Sequence, residues 1–171
     1  HDGLASFLLV KKEYDKCHGV VVKCSMKDNH IYFQKINEYN PDVILILDRA
    51  EISQELIDFA KVPVLWLDHH PVLKRKGARY YNPRIHEKED NRPVSYWAYN
   101  IIKKNLWIAM VGIIGDYYFP QDLFGIFEYK ELFNGKTKIE EILYNSELGK
   151  LVKVFNFILK GATTDVRKNI T

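Results

Sequence analysis

Apolar residues fall into two alternating kinds of stretch along this chain: short aliphatic runs, and longer segments at helical spacing. Leu4 to Val10 follows Gly3 directly and predicts a helix. Val20-Val21-Val22 is a β-branched run and predicts a strand. His30 to Tyr39, with Ile31, Phe33 and Ile36, predicts a helix that Pro41 closes. Val43 to Leu47 is a continuous apolar run stopping at Asp48. A run so short suits a strand buried on both faces of a parallel sheet. Ser53 caps a helix through Glu55, Leu56, Ile57 and Phe59, with Pro63 just past its end. Val64 to Leu67 repeats the strand pattern and again stops at an acid, Asp68.

Pro93 to Lys104 predicts a further helix. Trp107 to Ile114 is apolar throughout, which leaves helix and strand open, and it runs into Gly115-Asp116. Ile139 to Tyr144 predicts a helix, and Ser146 caps another that closes near Gly161. Residues 71–92, basic and polar with Pro71, Gly77 and Pro83, predict the longest loop. Strands alternating with helices predict an α/β fold, a Rossmann-like layered domain with a mostly parallel sheet flanked by helices. Ligands of such sheets bind beyond the carboxyl ends of the strands, so Asp48 and Asp68 are expected along one edge.

Composition narrows the class without naming the chemistry. With 171 residues, 47% hydrophobic and 27% charged, the chain is long enough for a substantial core. No apolar run approaches the roughly 18 residues of a membrane span. A formal charge of +3 is too mild for a surface that coats nucleic acid, so any such contact must come from a local groove. Cys17 and Cys24 lack C-x-x-C spacing and suit reduced thiols in a cytoplasmic protein. The sequence opens at His1 in what looks like mid-motif.

Candidate chemistry sits where apolar runs stop: Asp2 before Gly3, Asp48, the triplet Asp68-His69-His70, and Asp116 after Gly115. One acid at an element end is ordinarily a cap or a solvated turn. Four at successive ends, one beside two histidines, point to a shared task. Carboxylates packed together repel and raise one another's pKa, and a divalent cation removes that cost. Carboxylate and imidazole donors without thiolate suit Mn²⁺ or Mg²⁺ better than a structural zinc.

These residues resemble the DHH phosphoesterases. Asp68-His69-His70 after an apolar strand looks like their signature triplet, and Asp2-Gly3-Leu4-Ala5-Ser6 like the second half of their first motif. Leu47-Asp48 is similar to their second motif and Gly115-Asp116 to their fourth, in the same order across residues 1–116. Tyr81-Asn82-Pro83-Arg84 and Arg92-Pro93-Val94-Ser95-Tyr96 look most like the archaeal, RecJ-like members.

The resemblance implies that Asp2, Asp48, His69 and Asp116 ligate one metal, with Asp48 bridging to a second. It implies catalytic roles for Asp68, which would orient the histidines, and for His70, which would face the substrate phosphate. It implies Mn²⁺ or Mg²⁺, two ions in the complete protein, and water-mediated hydrolysis of phosphodiesters with no covalent nucleophile. Expected partners are single-stranded nucleic acid or oligonucleotide as substrate and a replication or repair protein, with no membrane. Residues 1–130 would be the DHH domain, and 131–171 a helical connector toward a C-terminal domain outside this sequence. Two departures stand out. The upstream His and first Asp of the first motif are absent, with His1 filling the variable place between the two aspartates and an apolar strand ending in His and then Asp expected directly before it. The C-terminal DHHA-type domain has no room in this chain.

Alternatives remain. A non-catalytic DHH scaffold of the replication machinery is one; a cyclic-dinucleotide phosphodiesterase or an inorganic pyrophosphatase is another. Lys74, Arg75, Lys76 and Arg79 suit a solvated loop better than phosphate contacts, whereas Arg84, close after the triplet, is an even choice as a phosphate-binding residue. His18, His30 and His86 suit surface positions, and Ser95 a helix cap. Tyr117, Tyr118 and Phe119 either stack on bases or pack internally.

Overall fold

In chain order the helices are α1 (Asp2–Glu13), α2 (His30–Tyr39), α3 (Gln54–Ala60), α4 (Val94–Ile102), α5 (Leu106–Gly115), α6 (Gln121–Ile126), α7 (Ile139–Asn145) and α8 (Glu147–Ile158). The strands are β1 (Ile44–Leu47), β2 (Val64–Leu67) and β3 (Ala78–Tyr81), paired parallel in the order β1-β2-β3. This is a computed structural model that describes residues 1–22 and 30–160. It divides into a sheet unit, His18–Asn91, and a helical unit made of His1–Cys17 and the chain from Arg92 onward. None of the described helices is long and apolar enough to cross a membrane.

In the sheet unit the register puts Ile44, Val64 and Ala78 side by side, and Ile46, Trp66 and Tyr80 two residues on. Side chains two apart share a face, and this face packs with Ile36 of α2 and with Ile52, Ile57 and Ala60 in and before α3. Trp66 is 1% exposed, stacks on Tyr80 at 4.1 Å and donates its indole N–H to the Arg49 carbonyl at 2.8 Å. Burying such a side chain contributes roughly 1.5–3 kcal/mol. Ser53 caps α3 by accepting the Leu56 N–H at 3.1 Å, as its place in the sequence predicts. The cap fixes where the chain turns back from β1 toward β2.

Three expectations need correction. Val20–Val22 form no strand. The run ending at Asp48 is not buried on both faces, since Val43 and Leu45 are exposed. An apolar run fixes the strand but not its neighbours, and β1 lies at one edge among the described strands. The stretch 71–92 is not all loop. It holds β3 and a 3₁₀ turn, Pro83–Ile85, and Gly77 makes the entry at φ +82°.

The helical unit is built around α5, which packs against α1, α4, α7 and α8. Ile108 to Ile114 are buried without interruption. A helix covered on all sides has no polar face to give it a helical period, which is why its sequence left helix and strand open. Contact is close at Gly112, where a Cβ would lie 2.6 Å from the Ala5 Cβ and 2.7 Å from the Ser95 Oγ. Glycine there lets the small side chains of Ala5 on α1 and Ser95 on α4 pack directly on the α5 backbone. The ends of α1, α4 and α5 are thereby fixed relative to one another.

Candidate metal centre

Each parallel strand of the sheet unit delivers polar groups at its carboxyl end. Asp48 follows β1, its N–H donating to the Leu67 carbonyl at 3.0 Å, with φ at +54°, a conformation aspartate tolerates. The triplet follows β2, and Asp68 N–H donates to the Tyr81 carbonyl at 3.1 Å. Asn82 and Arg84 follow β3. Sequence expectation and geometry agree that Asp48 and Asp68 share one sheet edge.

Asp68 is fully buried and held from several sides. Its Oδ1 accepts from His70 Nδ1 at 2.7 Å, and its Oδ2 accepts the His70 backbone N–H at 3.2 Å. The Tyr80 hydroxyl and Asn82 Nδ2 reach the same Oδ2 at 3.4 Å each. Asn82 Nδ2 also donates to the His70 carbonyl at 2.9 Å, and its Oδ1 accepts the Arg84 N–H at 2.9 Å. The hydrogen bond to Asp68 raises the pKa of His70, with burial opposing. Burial chiefly raises the Tyr80 phenol. Because Nδ1 is committed to Asp68, Nε2 is the nitrogen His70 can offer to a ligand.

His69 is arranged differently. Its Nδ1 lies 3.3 Å from the Asn91 carbonyl, and its Nε2 lies 3.6 Å from Asp48 Oδ1. The second distance is too long for a hydrogen bond. It is shorter than two metal–ligand bonds of about 2.1 Å laid end to end, so one ion can reach both atoms. Ligand atoms of Asp48, His69 and His70 all lie within 4.8 Å of one another. Bonding a ring nitrogen to a backbone carbonyl is also how metal-ligating histidines are usually oriented.

In the helical unit, Asp2 is 1% exposed at the start of α1. Its two carboxylate oxygens accept the Ser95 and Val94 N–H groups at 2.8 Å each, at the N-terminus of α4. Pro93 offers no side-chain cap there, so Asp2 supplies the negative charge that helix start favours. Carboxylate oxygens of Asp2 and Asp116 lie within 4.8 Å of each other. His1 stands beside Asp116, Nε2 to Oδ1 at 3.6 Å, while its Nδ1 lies 3.2 Å from Asn156 Oδ1 on α8. Asp116 raises the pKa of His1 above its ordinary value, against burial. Gly115 makes room for that ring: a Cβ would lie 2.6 Å from His1 Cδ2.

Donor chemistry in both units fits a hard or borderline divalent ion: carboxylates and imidazoles, with no thiolate. The sequence did not assign Asn82, Tyr80 or Asn156. For Asn82 the signal was its place before Pro83 at a strand end; Asn156 carries none, since its partner is at the other end of the chain. Of the basic run, Arg75 is committed to the Ile52 carbonyl at 2.8 Å and to Glu51. Arg84 keeps a buried Nε with no hydrogen-bond partner among the described residues. Ser95 is the second residue of α4 rather than its cap, and its Oγ is buried with no hydrogen-bond partner among the described residues. His18 stacks on Tyr39 at 4.6 Å. No protein-family model and no curated protein matches this chain.

Proposed function

We propose that this chain is the catalytic part of a DHH-type, metal-dependent phosphoesterase. Its substrates are phosphodiester bonds of single-stranded nucleic acid or short oligonucleotides, and its ion is Mn²⁺ or Mg²⁺. The observation that carries the reading is the cluster at the strand ends: Asp48, His69 and His70 within ion-sharing distance, with Asp68 buried behind His70. Buried carboxylates that orient histidines around donor atoms of this kind are the pattern of a working metal site.

Ligand roles go to Asp48 and His69 in the sheet unit and to Asp2 and Asp116 in the helical unit. A divalent ion held there would lower the pKa of water and offset charge on the attacking and leaving oxygens. His70, its Nδ1 proton held by Asp68, would turn Nε2 to the phosphate and donate a hydrogen bond from it when the ring is protonated on both nitrogens. The Arg84 guanidinium adds a second donor; its bare Nε supports that role. The same reading includes Rossmann-like layering, a cytoplasmic location, a replication or repair partner, and residues 131–171 as a connector after a domain spanning 1–130. Mn²⁺-dependent release of nucleotides from single-stranded DNA or RNA by the full-length protein tests it. Release from neither sinks it.

One observation favours the non-catalytic scaffold instead. Both oxygens of Asp2 already serve the α4 N-terminus, a structural task that needs no ion. Calorimetric titration with Mn²⁺ separates the readings, because a scaffold gives no tight metal-dependent heat.

A further inference from the structure

The helical unit contains one backbone conformation that its sequence should avoid. After α5 the chain closes with the Tyr118 N–H on the Ile113 carbonyl at 3.2 Å and the Tyr117 N–H on the Ile114 carbonyl at 3.1 Å. This pair of bonds puts the intervening residue in the left-handed region, where glycine is the usual occupant. Here the residue is Tyr117, at φ +62°. The other non-glycine residues with positive φ among those described are three Asn, one Asp and two Lys, so Tyr117 is the one aromatic.

Nothing in the packing compensates for that choice. Tyr117 is 57% exposed. Its hydroxyl donates to Glu140 at the start of α7, also at the surface, where such a bond contributes little to stability. The two aromatics that follow are half-buried against other rings. Tyr118 meets Tyr96 edge-on at 6.3 Å, and Phe119 joins Phe124 and Phe133. Of the three aromatics after Asp116, Tyr117 is the exposed one, and the Glu140 bond holds its ring in place. A strained, exposed and anchored aromatic directly after a candidate ligand is what a binding function retained at the cost of stability looks like.

We infer that Tyr117 is a stacking platform for a nucleobase of the substrate, placed next to the Asp116 carboxylate. This rests on the phosphoesterase reading and narrows its substrate to nucleotides rather than bare phosphoesters or pyrophosphate. Aromatic stacking tolerates any base, so the platform selects for the presence of a base and not for its identity.

The test compares adenosine monophosphate with ribose 5-phosphate, which lacks the base, by calorimetry on the full-length protein with Mn²⁺. The parent is expected to bind the nucleotide roughly ten-fold tighter. Tyr117→Gly should bring the nucleotide down to the ribose 5-phosphate level while leaving ribose 5-phosphate unchanged. Tyr117→Phe and Tyr117→Trp should keep the preference. Glycine is the residue this backbone favours, so Tyr117→Gly should melt no lower than the parent, which separates lost stacking from lost folding. Equal binding of the two probes by the parent, or equal weakening of both in Tyr117→Gly, overturns the platform and leaves the phosphoesterase reading standing. If neither probe binds, that reading fails and the platform falls with it.

Discussion

His70 and Asp68 form a hydrogen-bonded pair across a single intervening residue, 2.7 Å from imidazole Nδ1 to carboxylate Oδ1, with the acid fully buried and the imidazole partly open to solvent. The intervening residue, His69, points its own Nε2 toward Asp48. Within three consecutive residues, Asp68 is thus buried behind His70 while His69 turns the other way, toward Asp48.

Replacing Asp68 by Asn leaves donors in that buried network without their acceptor, so stability measured by urea unfolding should fall by about 1–3 kcal/mol. The loss depends on pH with a definite sign. Asp68 raises the pKa of His70 above the ordinary value near 6.5. The pair's contribution is therefore full below that value and fades as pH rises through the raised one. The gap between parent and Asp68→Asn should be wider at pH 6 than at pH 9. A gap that grows with pH would contradict the pairing.

Two glycines make a matched test of the helical unit. Gly112→Ala forces a methyl against Ala5 and Ser95, and overpacking of this kind costs typically 1–3 kcal/mol. Gly125 in α6 has open space where a Cβ would go, so alanine there should be neutral or stabilise by up to about 1 kcal/mol. Thermal melts of the two variants should move in opposite directions or leave Gly125→Ala unmoved. Equal falls would refute the close crossing.

Asn156→Leu removes the group facing His1 Nδ1 without touching either acid. If that imidazole shares an ion with Asp116, Mn²⁺ affinity should drop about ten-fold or more, as loss of an orienting partner does elsewhere. Melting of the metal-free protein should barely change, because the contact lies at the surface. An unchanged Mn²⁺ isotherm would leave His1 outside the centre.

Arg84→Ala should weaken ribose 5-phosphate binding by roughly ten-fold or more, the scale of a hydrogen bond to a charged group. Arg84→Lys should restore little, since a lysine lacks the planar fork. Full binding by the alanine variant would assign the bare Nε no role.

Legibility in the sequence followed how local each cause was. β1 and β2 were readable because an unbroken aliphatic run followed by an acid is a local signal, and so was the Ser53 cap. β3 was hidden: Arg79 sits in its middle, and its one clean cue, Gly77, looks equally like loop. Burial of β1 could not be read, because it depends on neighbours rather than on the run itself. Asp2 illustrates the limit best. Its sequence context suggests a ligand, while its capping of α4 depends on N–H groups that the chain supplies only at Val94 and Ser95. Asn156 opposite His1 is the same case at greater range.

The discontinuity of the helical unit sets an order for the growing polypeptide. Helix α1 packs against α4 and α5, and neither exists until the whole of His18–Asn91 has been translated. At roughly 5–20 residues per second that delay lasts several seconds. Throughout it Leu4, Ala5 and Leu9 lack the α4 and α5 partners they pack on, whereas by its end all three described strands have been made. Ribosome-bound chains of this protein should therefore acquire protease resistance first in His18–Asn91 and only afterwards in α1.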